Sequence, residues 1–237
     1  MKNLIFSVFI LFFISGISQE GKPQDYLSSE FHKGRREALR EKMPANSVAV
    51  FFANPVRNRA NDVDYVYHQD PDFYYLTGYK EPHAVLVLFS EKQTGKNGKK
   101  YDEILYVQEK NPRAEMWTGY RLGVEGAKNK LGFDVALNGK EFLNTDIVFA
   151  DFETVLHQPF FDDYRDSRDP ADLASLSEAF KEQVYIKEIQ NKADGSLGVE
   201  VKEAVSPSPS VNVDTKSLRT YMGELRQIKS PEEMKLL

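Results

Sequence analysis

The chain has 237 residues, of which 41% are hydrophobic and 12% aromatic, and it carries a formal net charge of −5 with no cysteine. This composition is sufficient for a buried core in one large or two modest domains, and it excludes a disulfide-stapled scaffold and thiol catalysis. Basic and acidic residues are interspersed along the chain, so the charge pattern does not indicate a nucleic-acid partner.

The first residues have the pattern of an export signal. Lys2 precedes an apolar run from Leu4 to Ile14, and small residues follow at Gly16 and Ser18. The run is too short to span a bilayer, which favours a cleaved secretory signal over residues 1–18 rather than a membrane anchor. We therefore expect an exported protein, periplasmic or extracellular, with no membrane partner after cleavage.

A helix and a buried strand begin the globular part. Ser28 lies where an N-cap is expected for a helix that runs to about Met43, and the basic residues of this helix are predicted on a solvated face. These residues are Lys33, Arg35, Arg36 and Arg40. The segment from Val48 to Phe52 is apolar at every position, which predicts a strand covered on both faces.

An acidic, aromatic-rich turn at Asp62 leads into the short apolar run from Phe73 to Leu76, which we interpret as a strand. Ala84 to Phe89 has the pattern of a buried strand. It is expected to form a hairpin with Tyr101 to Val107, because Asn97-Gly98 between them is a strong turn signal.

The second half of the chain alternates short predicted elements with irregular segments. In chain order, the first three are a loop that contains Trp117 after Asn111-Pro112, a helix from Val124 to Leu131 capped by Gly132, and a weak helix near Glu141 to Leu143. They are followed by a strand from Ile147 to Ala150, irregular structure from Phe152 to Asp169, and a helix from Pro170 to about Ile189.

The C-terminal part combines a spacer with a helix start. Residues 191–216 are rich in Gly, Ser, Pro and charge, which predicts a spacer. Residues 217–237 contain an amphipathic helix, followed by a capping box that begins at Ser230 and includes Pro231 and Glu233. Few residues follow, whereas an isolated helix needs about 12 residues to hold in water. We therefore expect that the chain stops where a second domain begins.

The residues do not indicate a catalytic centre of their own. There is no G-x-S-x-G nucleophile motif, and the histidines lack metal-ligand spacing, so each is expected to be a surface or structural residue. They are His32, His68, His83 and His157. An acidic cluster could hold calcium, but it lacks the glycine and terminal glutamate of an EF-hand loop, which favours a turn stabilised by side-chain hydrogen bonds. Its members are Asp62, Asp64, Asp70 and Asp72.

Two motifs in order resemble one family. D-F-Y-Y-L-T-G-Y-K-E-P at residues 72–82 and A-E-M-W-T-G-Y-R-L-G at residues 114–123 are similar to the N-terminal domain of Xaa-Pro aminopeptidases. The resemblance implies an α/β fold, a mixed β-sheet flanked by helices of the creatinase/prolidase N-terminal (ribonuclease H-like) type. It implies this domain over residues 19–190, and a linker helix with the start of a catalytic domain over residues 217–237.

The resemblance also implies where the chemistry lies. Family members bind two Mn(II) ions in a C-terminal domain, and no residue of this chain matches those ligands, so we expect the chain alone to be inactive. It further implies a homo-oligomer, a dimer or tetramer, that acts on proline-containing peptides. Trp117 and Asp62 are the residues expected to reach the substrate site of a neighbouring subunit.

A tryptophan suits such a role on physical grounds. An Xaa-Pro bond has no amide hydrogen and a fixed ring, so a selective site needs flat apolar surface. The alternatives stay open: Trp117 as a core anchor, Asp62 as a simple turn residue, a free-standing non-catalytic module or remnant of a split gene, and a prolidase or creatinase-like relative.

Overall fold

The computed structural model describes residues 27–96, 98–160, 167, 169–186, 189–192, 201–204, 208–209 and 211–237. The predicted signal segment, residues 1–18, and Asn97 of the predicted turn lie outside these residues. No described helix combines the length and the apolar character that crossing a membrane requires.

The strands are short except for one long hairpin. They are β1 Ser47–Phe52, β2 Asn58–Ala60, β3 Val63–Asp64, β4 Val85–Thr94, β5 Lys100–Val107, β6 Ala136–Asn138, β7 Thr154–His157, β8 Tyr185–Ile186, β9 Ile189–Lys192, β10 Val201–Ala204, β11 Ser208–Pro209 and β12 Val213–Asp214. The helices are α1 Ser29–Arg40, α2 Pro71–Thr77, α3 Pro112–Thr118, α4 Gly123–Leu131, α5 Gly139–Phe142, α6 Leu173–Val184, α7 Ser217–Gln227 and α8 Pro231–Met234, with a 3₁₀ turn at Phe149–Asp151.

One mixed sheet organises the domain, in the order β12-β7-β1-β4-β5-β6. Strand β1 is antiparallel to β4, with Val50 opposite Val87, and parallel to β7, with Val50 opposite His157. The pairs β12–β7 and β5–β6 are also parallel. This is the α/β architecture of a mixed sheet with helices on its faces that the resemblance implies.

The two faces of the sheet carry separate cores. Ala49 and Phe51 pack into the cluster that contains α1, α2, α4 and α7, whereas Val48 and Val50 pack into the cluster that contains α5 and α6. Because successive strand residues point to opposite faces, a strand that is apolar at every position must be covered on both sides. The prediction for β1 is therefore confirmed.

The interpretation of Phe73 to Leu76 as a strand is wrong, since these residues lie in helix α2. Asp70 caps the helix by accepting from the backbone N–H groups of Asp72 and Phe73 at 3.0 and 2.8 Å. Gly78 ends it in the left-handed conformation, with φ of 69°. The capping aspartate, the proline at the first position and the terminal glycine outweigh the strand preference of adjacent aromatic residues.

The strand predicted from Ile147 to Ala150 is also wrong. The chain forms a 3₁₀ turn at Phe149–Asp151, and the strand of this region is β7, which lies in the segment predicted to be irregular. A buried four-residue strand has no room for a detectable alternation, so its position depends on the neighbouring strand β1.

Helix boundaries follow the cap signals. Ser28 accepts from the N–H of Phe31, Gly132 ends α4 with φ of 70°, and Ser230 forms the predicted capping box with Glu233. The helix expected from Pro170 to Ile189 is shorter, Leu173–Val184. The solvated face predicted for α1 is wrong for Arg36, which is fully buried.

Residues of the predicted spacer include several paired strands, among them β11, which pairs with β8. Strands β9 and β10 form an antiparallel pair, and β12 adds an edge strand to the main sheet beside β7. The proposed boundaries at residues 190 and 216 stay predictions.

Candidate functional site

Asp62 and Trp117 line the same cleft, which has a volume of about 930 Å³. The cleft is open to solvent between the β2–β3 hairpin on one side and helix α3 on the other. Its floor includes Glu81, His83 and Arg121. The tertiary structure thus brings together the two residues that the resemblance singles out, although 55 positions separate them in the chain.

The wall that carries Asp62 is a small exposed hairpin. Asn61 turns the chain with φ of 50°, a conformation that asparagine tolerates better than most residues. The side-chain nitrogen Nδ2 of Asn58 donates to the backbone oxygens of Asn61 and Val63 and to Asp64 Oδ1 at 3.0–3.1 Å. Asp62 lies exposed at the tip, so its carboxylate faces solvent next to the cleft.

The wall that carries Trp117 is helix α3, not the loop that we predicted. Asn111 caps the helix by accepting from the N–H groups of Arg113 and Ala114 at 3.1 and 3.2 Å. Pro112 follows at the first helical position, where its missing N–H costs nothing. Asn111-Pro112 therefore both ends the preceding strand and begins a helix, a dual signal that our sequence analysis missed.

Trp117 is 88% exposed, which rules out the alternative of a core anchor within the described chain. Its neighbours Met116 and Tyr120 are 75% and 61% exposed, and Tyr65, which also lines the cleft, is 59% exposed. Large apolar side chains grouped on one exposed surface are typical of a binding or subunit-contact site. The cleft can therefore offer apolar surface to a ligand or to a neighbouring chain.

Two titratable groups of the floor were not predicted as site residues. Glu81 Oε1 accepts from the N–H of Leu122 at 2.7 Å, and Oε2 accepts from the hydroxyl of Tyr79 at 2.9 Å. Burial raises the pKa of the Glu81 carboxyl above its ordinary value, while these hydrogen bonds act in the opposite direction. The E-P dipeptide of the first motif was the available signal for Glu81.

His83 is the second such group. Its Nδ1 lies 3.0 Å from the backbone nitrogen of Leu173, so Nδ1 accepts and the ring is neutral with its proton on Nε2. Burial lowers the pKa of the His83 imidazole, which favours this neutral form. The backbone has φ of 58°, a strained conformation for a histidine.

The other buried histidines have structural roles, as predicted. His32 Nδ1 lies 2.9 Å from the carbonyl oxygen of Tyr75, and His157 Nε2 lies 2.6 Å from the hydroxyl of Tyr185. Asp70 caps α2, and Asp72 forms an ion pair of 2.7 Å with Arg226. These acidic residues stabilise turns and helix contacts, so the calcium alternative is not supported.

Within the described ranges, no three His, Asp or Glu side chains are grouped so that they could hold a metal ion. The residues of the cleft therefore do not fit a Mn(II) site. What the cleft offers is apolar surface at Trp117 and carboxylates at Asp62 and Glu81.

Comparison with known proteins assigns the domain. Residues 32–146 match the family model of the aminopeptidase P N-terminal domain. The chain is 32% identical over 211 residues to the Xaa-Pro aminopeptidase of Escherichia coli, which covers 89% of this chain and 41% of that protein. It is 39% identical over 107 residues to intermediate cleaving peptidase 55 of Schizosaccharomyces pombe, over 45% of this chain and 21% of that protein.

Solved structures agree with the sequence matches. The structure of E. coli aminopeptidase P with the inhibitor Pro-Leu has a TM-score of 0.60 and 28% identity, over 88% of this chain and 41% of that one. Pseudomonas aeruginosa aminopeptidase PepP has a TM-score of 0.61 and 26% identity, over 88% and 40%. The chain thus spans about 41% of the length of the E. coli relative. With the fold, the two motifs and the family model in agreement, this chain belongs to the aminopeptidase P N-terminal domain family.

Proposed function

We propose that this domain supplies one wall of the peptide site of an Xaa-Pro aminopeptidase, in trans, within a homo-oligomer. The enzyme hydrolyses the bond between an N-terminal residue and proline. In this proposal it is exported, it works as a dimer or tetramer, and its two Mn(II) ions bind outside this domain. The names of the relatives and of the solved structures support the substrate class.

The observation that carries the proposal is the position of Trp117. An indole that is 88% exposed at the rim of a cleft contributes nothing to the core of its own domain. The flat face of the indole suits a proline ring, which offers no amide hydrogen for recognition. Contact between the indole and the proline ring removes apolar area of both from water, and this supplies binding free energy.

The test is kinetic and uses the whole enzyme that carries this domain. Burial of one large apolar side chain contributes about 1.5–3 kcal/mol, so Trp117→Ala is expected to lower kcat/KM for an Xaa-Pro tripeptide by about 10- to 100-fold. Trp117→Phe should recover part of the loss because it keeps a flat ring. Val148→Ala, at a residue that is 54% exposed and is not among the cleft-lining residues, is the matched control.

The proposed wall would be contradicted if Trp117→Ala kept the wild-type kcat/KM and light scattering showed the wild-type oligomeric state. Comparison of Xaa-Pro dipeptides with longer peptides separates an aminopeptidase from a prolidase-like relative. Turnover of such peptides by the purified 237-residue chain with added Mn(II) would show that the chemistry lies in this chain and would overturn the proposed division.

Export has a separate test. Cleavage after Ser18 makes Gln19 the first residue of the mature protein, as the small residues near this position predict. N-terminal sequencing of the protein recovered from the exported fraction should therefore begin at Gln19. Recovery of the protein only in the cell interior, with Met1 retained, would refute the export part of the proposal.

A further inference from the structure

The two cleft walls themselves bury no residue in the core. Helix α3 has no buried residue, and every residue from 57 to 66 is exposed. A segment without buried apolar contacts is held only by its polar contacts and by its ends. The separation between Asp62 and Trp117 therefore depends on the contacts at the base of each wall, where Leu122 packs partly against the core and polar side chains form hydrogen bonds.

The side chain of Glu81 holds the base of the Trp117 wall. Its carboxylate accepts from the N–H of Leu122 at 2.7 Å, five residues after Trp117, at the point where the chain leaves α3 for α4. The second carboxylate oxygen accepts from the hydroxyl of Tyr79, which is only 1% exposed. Glu81 therefore connects the exposed wall to a buried residue.

The backbone of the same residue holds the base of the Asp62 wall. The carbonyl oxygen of Glu81 accepts from Gln69 Nε2 at 2.8 Å. Gln69 Oε1 accepts in turn from the N–H of Asn54 at 3.0 Å and from the hydroxyl of Tyr67 at 2.9 Å. Asn54 precedes the exposed segment and Tyr67 follows it, so this amide group contacts both of its ends. The two ends are also bonded directly, by the Tyr67 hydroxyl to the Asn54 carbonyl oxygen at 3.2 Å and by Asn54 Nδ2 to the His68 carbonyl oxygen at 3.1 Å.

The segment that contains Glu81 is itself anchored. Gln108, at the end of β5, donates to the carbonyl oxygen of Pro82 at 3.1 Å, and Pro82 restricts the backbone next to Glu81. The network therefore rests on the sheet. A network in which the members satisfy one another is stiffer than separate hydrogen bonds of the same number.

We propose that Gln69 and Glu81 form a brace, the Gln69–Glu81 brace, that sets the spacing between the Asp62 wall and the Trp117 wall of the cleft. Glu81 is a positioning residue for Trp117, and Gln69 is a positioning residue for Asp62. Neither is required to touch the substrate. The consequence for peptide hydrolysis rests on the proposed function, but the spacing itself does not.

The chain offers a direct measurement of this spacing. Trp117 is its single tryptophan and it has no cysteine, so Asp62→Cys provides one labelling site for an acceptor of tryptophan fluorescence. Time-resolved energy transfer in the 237-residue chain then reports the distance between the two walls and the width of its distribution.

Two substitutions cut the brace at different points. Glu81→Ala removes the acceptor for Leu122. Gln69→Glu keeps an oxygen that accepts from Asn54 and Tyr67 but has no N–H for the Glu81 carbonyl, so it cuts the brace and leaves the loop ends tied. Both should lower the transfer efficiency and broaden the distance distribution. Glu81→Gln, which can still accept from Leu122, should restore the wild-type distribution.

The matched control is Asp214→Ala. Asp214, like Glu81, accepts two hydrogen bonds, here from the backbone N–H groups of Lys216 and Ser217 at 2.8 and 2.9 Å, but it lies just before helix α7 and does not line the cleft. It should lower stability and leave the energy transfer unchanged. A wild-type efficiency of energy transfer in both Glu81→Ala and Gln69→Glu would refute the proposed brace.

Activity measurements separate the brace from the proposed function. In the whole enzyme with Asp62 intact, Glu81→Ala should lower kcat/KM for an Xaa-Pro tripeptide, and Glu81→Gln should restore it. A broadened distance distribution in Glu81→Ala with unchanged kcat/KM would support the brace and would contradict the role of Trp117 in substrate binding.

Discussion

Arg36 and Glu103 form a two-bond ion pair inside the domain, with Nε and Nη2 each 2.8 Å from a different carboxylate oxygen. The arginine is fully buried. Its remaining nitrogen, Nη1, donates to the carbonyl oxygen of Leu76 at 2.8 Å, and its guanidinium lies 4.0 Å from the centre of the Phe133 ring. Arg40 adds a third bond to Glu103 at 3.0 Å. The pair therefore joins helix α1 to strand β5 and to helix α2.

Removal of the carboxylate charge should be costly. We expect Glu103→Gln to lower the free energy of unfolding by about 3–5 kcal/mol, because Arg36 then remains buried without its counter-charge. Urea denaturation measures the change. Asp146→Asn, which breaks the exposed pair with Lys96, is the control and should cost at most about 1 kcal/mol. Equal effects of the two variants would contradict this account of the buried pair.

Gly78 should not tolerate a side chain. Its φ of 69° is strained for other residues, and an added Cβ would lie 2.8 Å from the ring of His32. The left-handed conformation alone costs about 1–2 kcal/mol, so Gly78→Ala should destabilise by at least that amount. Gly223→Ala, in the interior of α7 with no atom within 4 Å of the new Cβ, should instead stabilise by about 0.5–1 kcal/mol. Thermal melts should therefore show a lower melting temperature for Gly78→Ala and a higher one for Gly223→Ala, each relative to the wild type.

Trp117 should be dispensable for folding. Because the side chain is 88% exposed, Trp117→Ala should change the free energy of unfolding by less than about 0.5 kcal/mol. Phe73→Ala, at a fully buried aromatic residue of similar size, should cost about 3–5 kcal/mol. Iodide should quench the wild-type fluorescence efficiently. A shielded, blue-shifted emission in the monomeric chain would contradict the exposed position.

Two buried histidines and the half-buried His83 should make the domain less stable in mild acid. Burial lowers the pKa of His32, His83 and His157 below the ordinary value of 6.5. A lowered pKa in the folded state means that the unfolded chain binds protons first, so this stability is present above pH 6.5 and is lost as the pH falls. Each group contributes a slope of up to about 1.4 kcal/mol per pH unit.

The histidine contribution can be isolated at His157. His157→Phe should make the loss of stability below pH 6.5 shallower, because one buried imidazole no longer has to be protonated. Phe160→Leu disturbs the same aromatic group, in which the two ring centres lie 4.9 Å apart, but removes no titratable residue. It should lower stability and keep the wild-type slope. Identical slopes in all three proteins would refute the assignment.

Several elements of the fold could be predicted because their signals are local. The hairpin of β4 and β5, the cap of α1 at Ser28, the end of α4 at Gly132 and the capping box at Ser230 all depend on residues within a few positions of each other. The same holds for the two motifs that carry the family resemblance. Local conformational preferences are properties of the chain itself, so no tertiary information was needed.

The errors occurred where distant residues decide. Strand β7 has only four residues and is defined by its pairing with β1. The residues Phe73 to Leu76 form helix α2 although adjacent aromatic residues favour strands. Arg36 is buried because it pairs with Glu103, which lies 67 positions away in the chain. Charge patterning along one helix does not reveal such a partner.

The candidate site shows the same division. The family resemblance named Asp62 and Trp117, and the identities of Glu81 and Gln69 were equally visible in the sequence. Whether Trp117 is a core residue or an exposed one, and whether Glu81 joins the two walls, depends on contacts across the cleft between segments far apart in the chain. The sequence by itself therefore determined the family, the helix caps at Ser28, Gly132 and Ser230, and the buried strands β1, β4 and β5, because short-range sterics and hydrophobicity control them. The tertiary structure alone decided the burial of Arg36, the exposure of Trp117, the ion pairing and the spacing of the cleft walls, because each of these depends on which remote segment lies opposite.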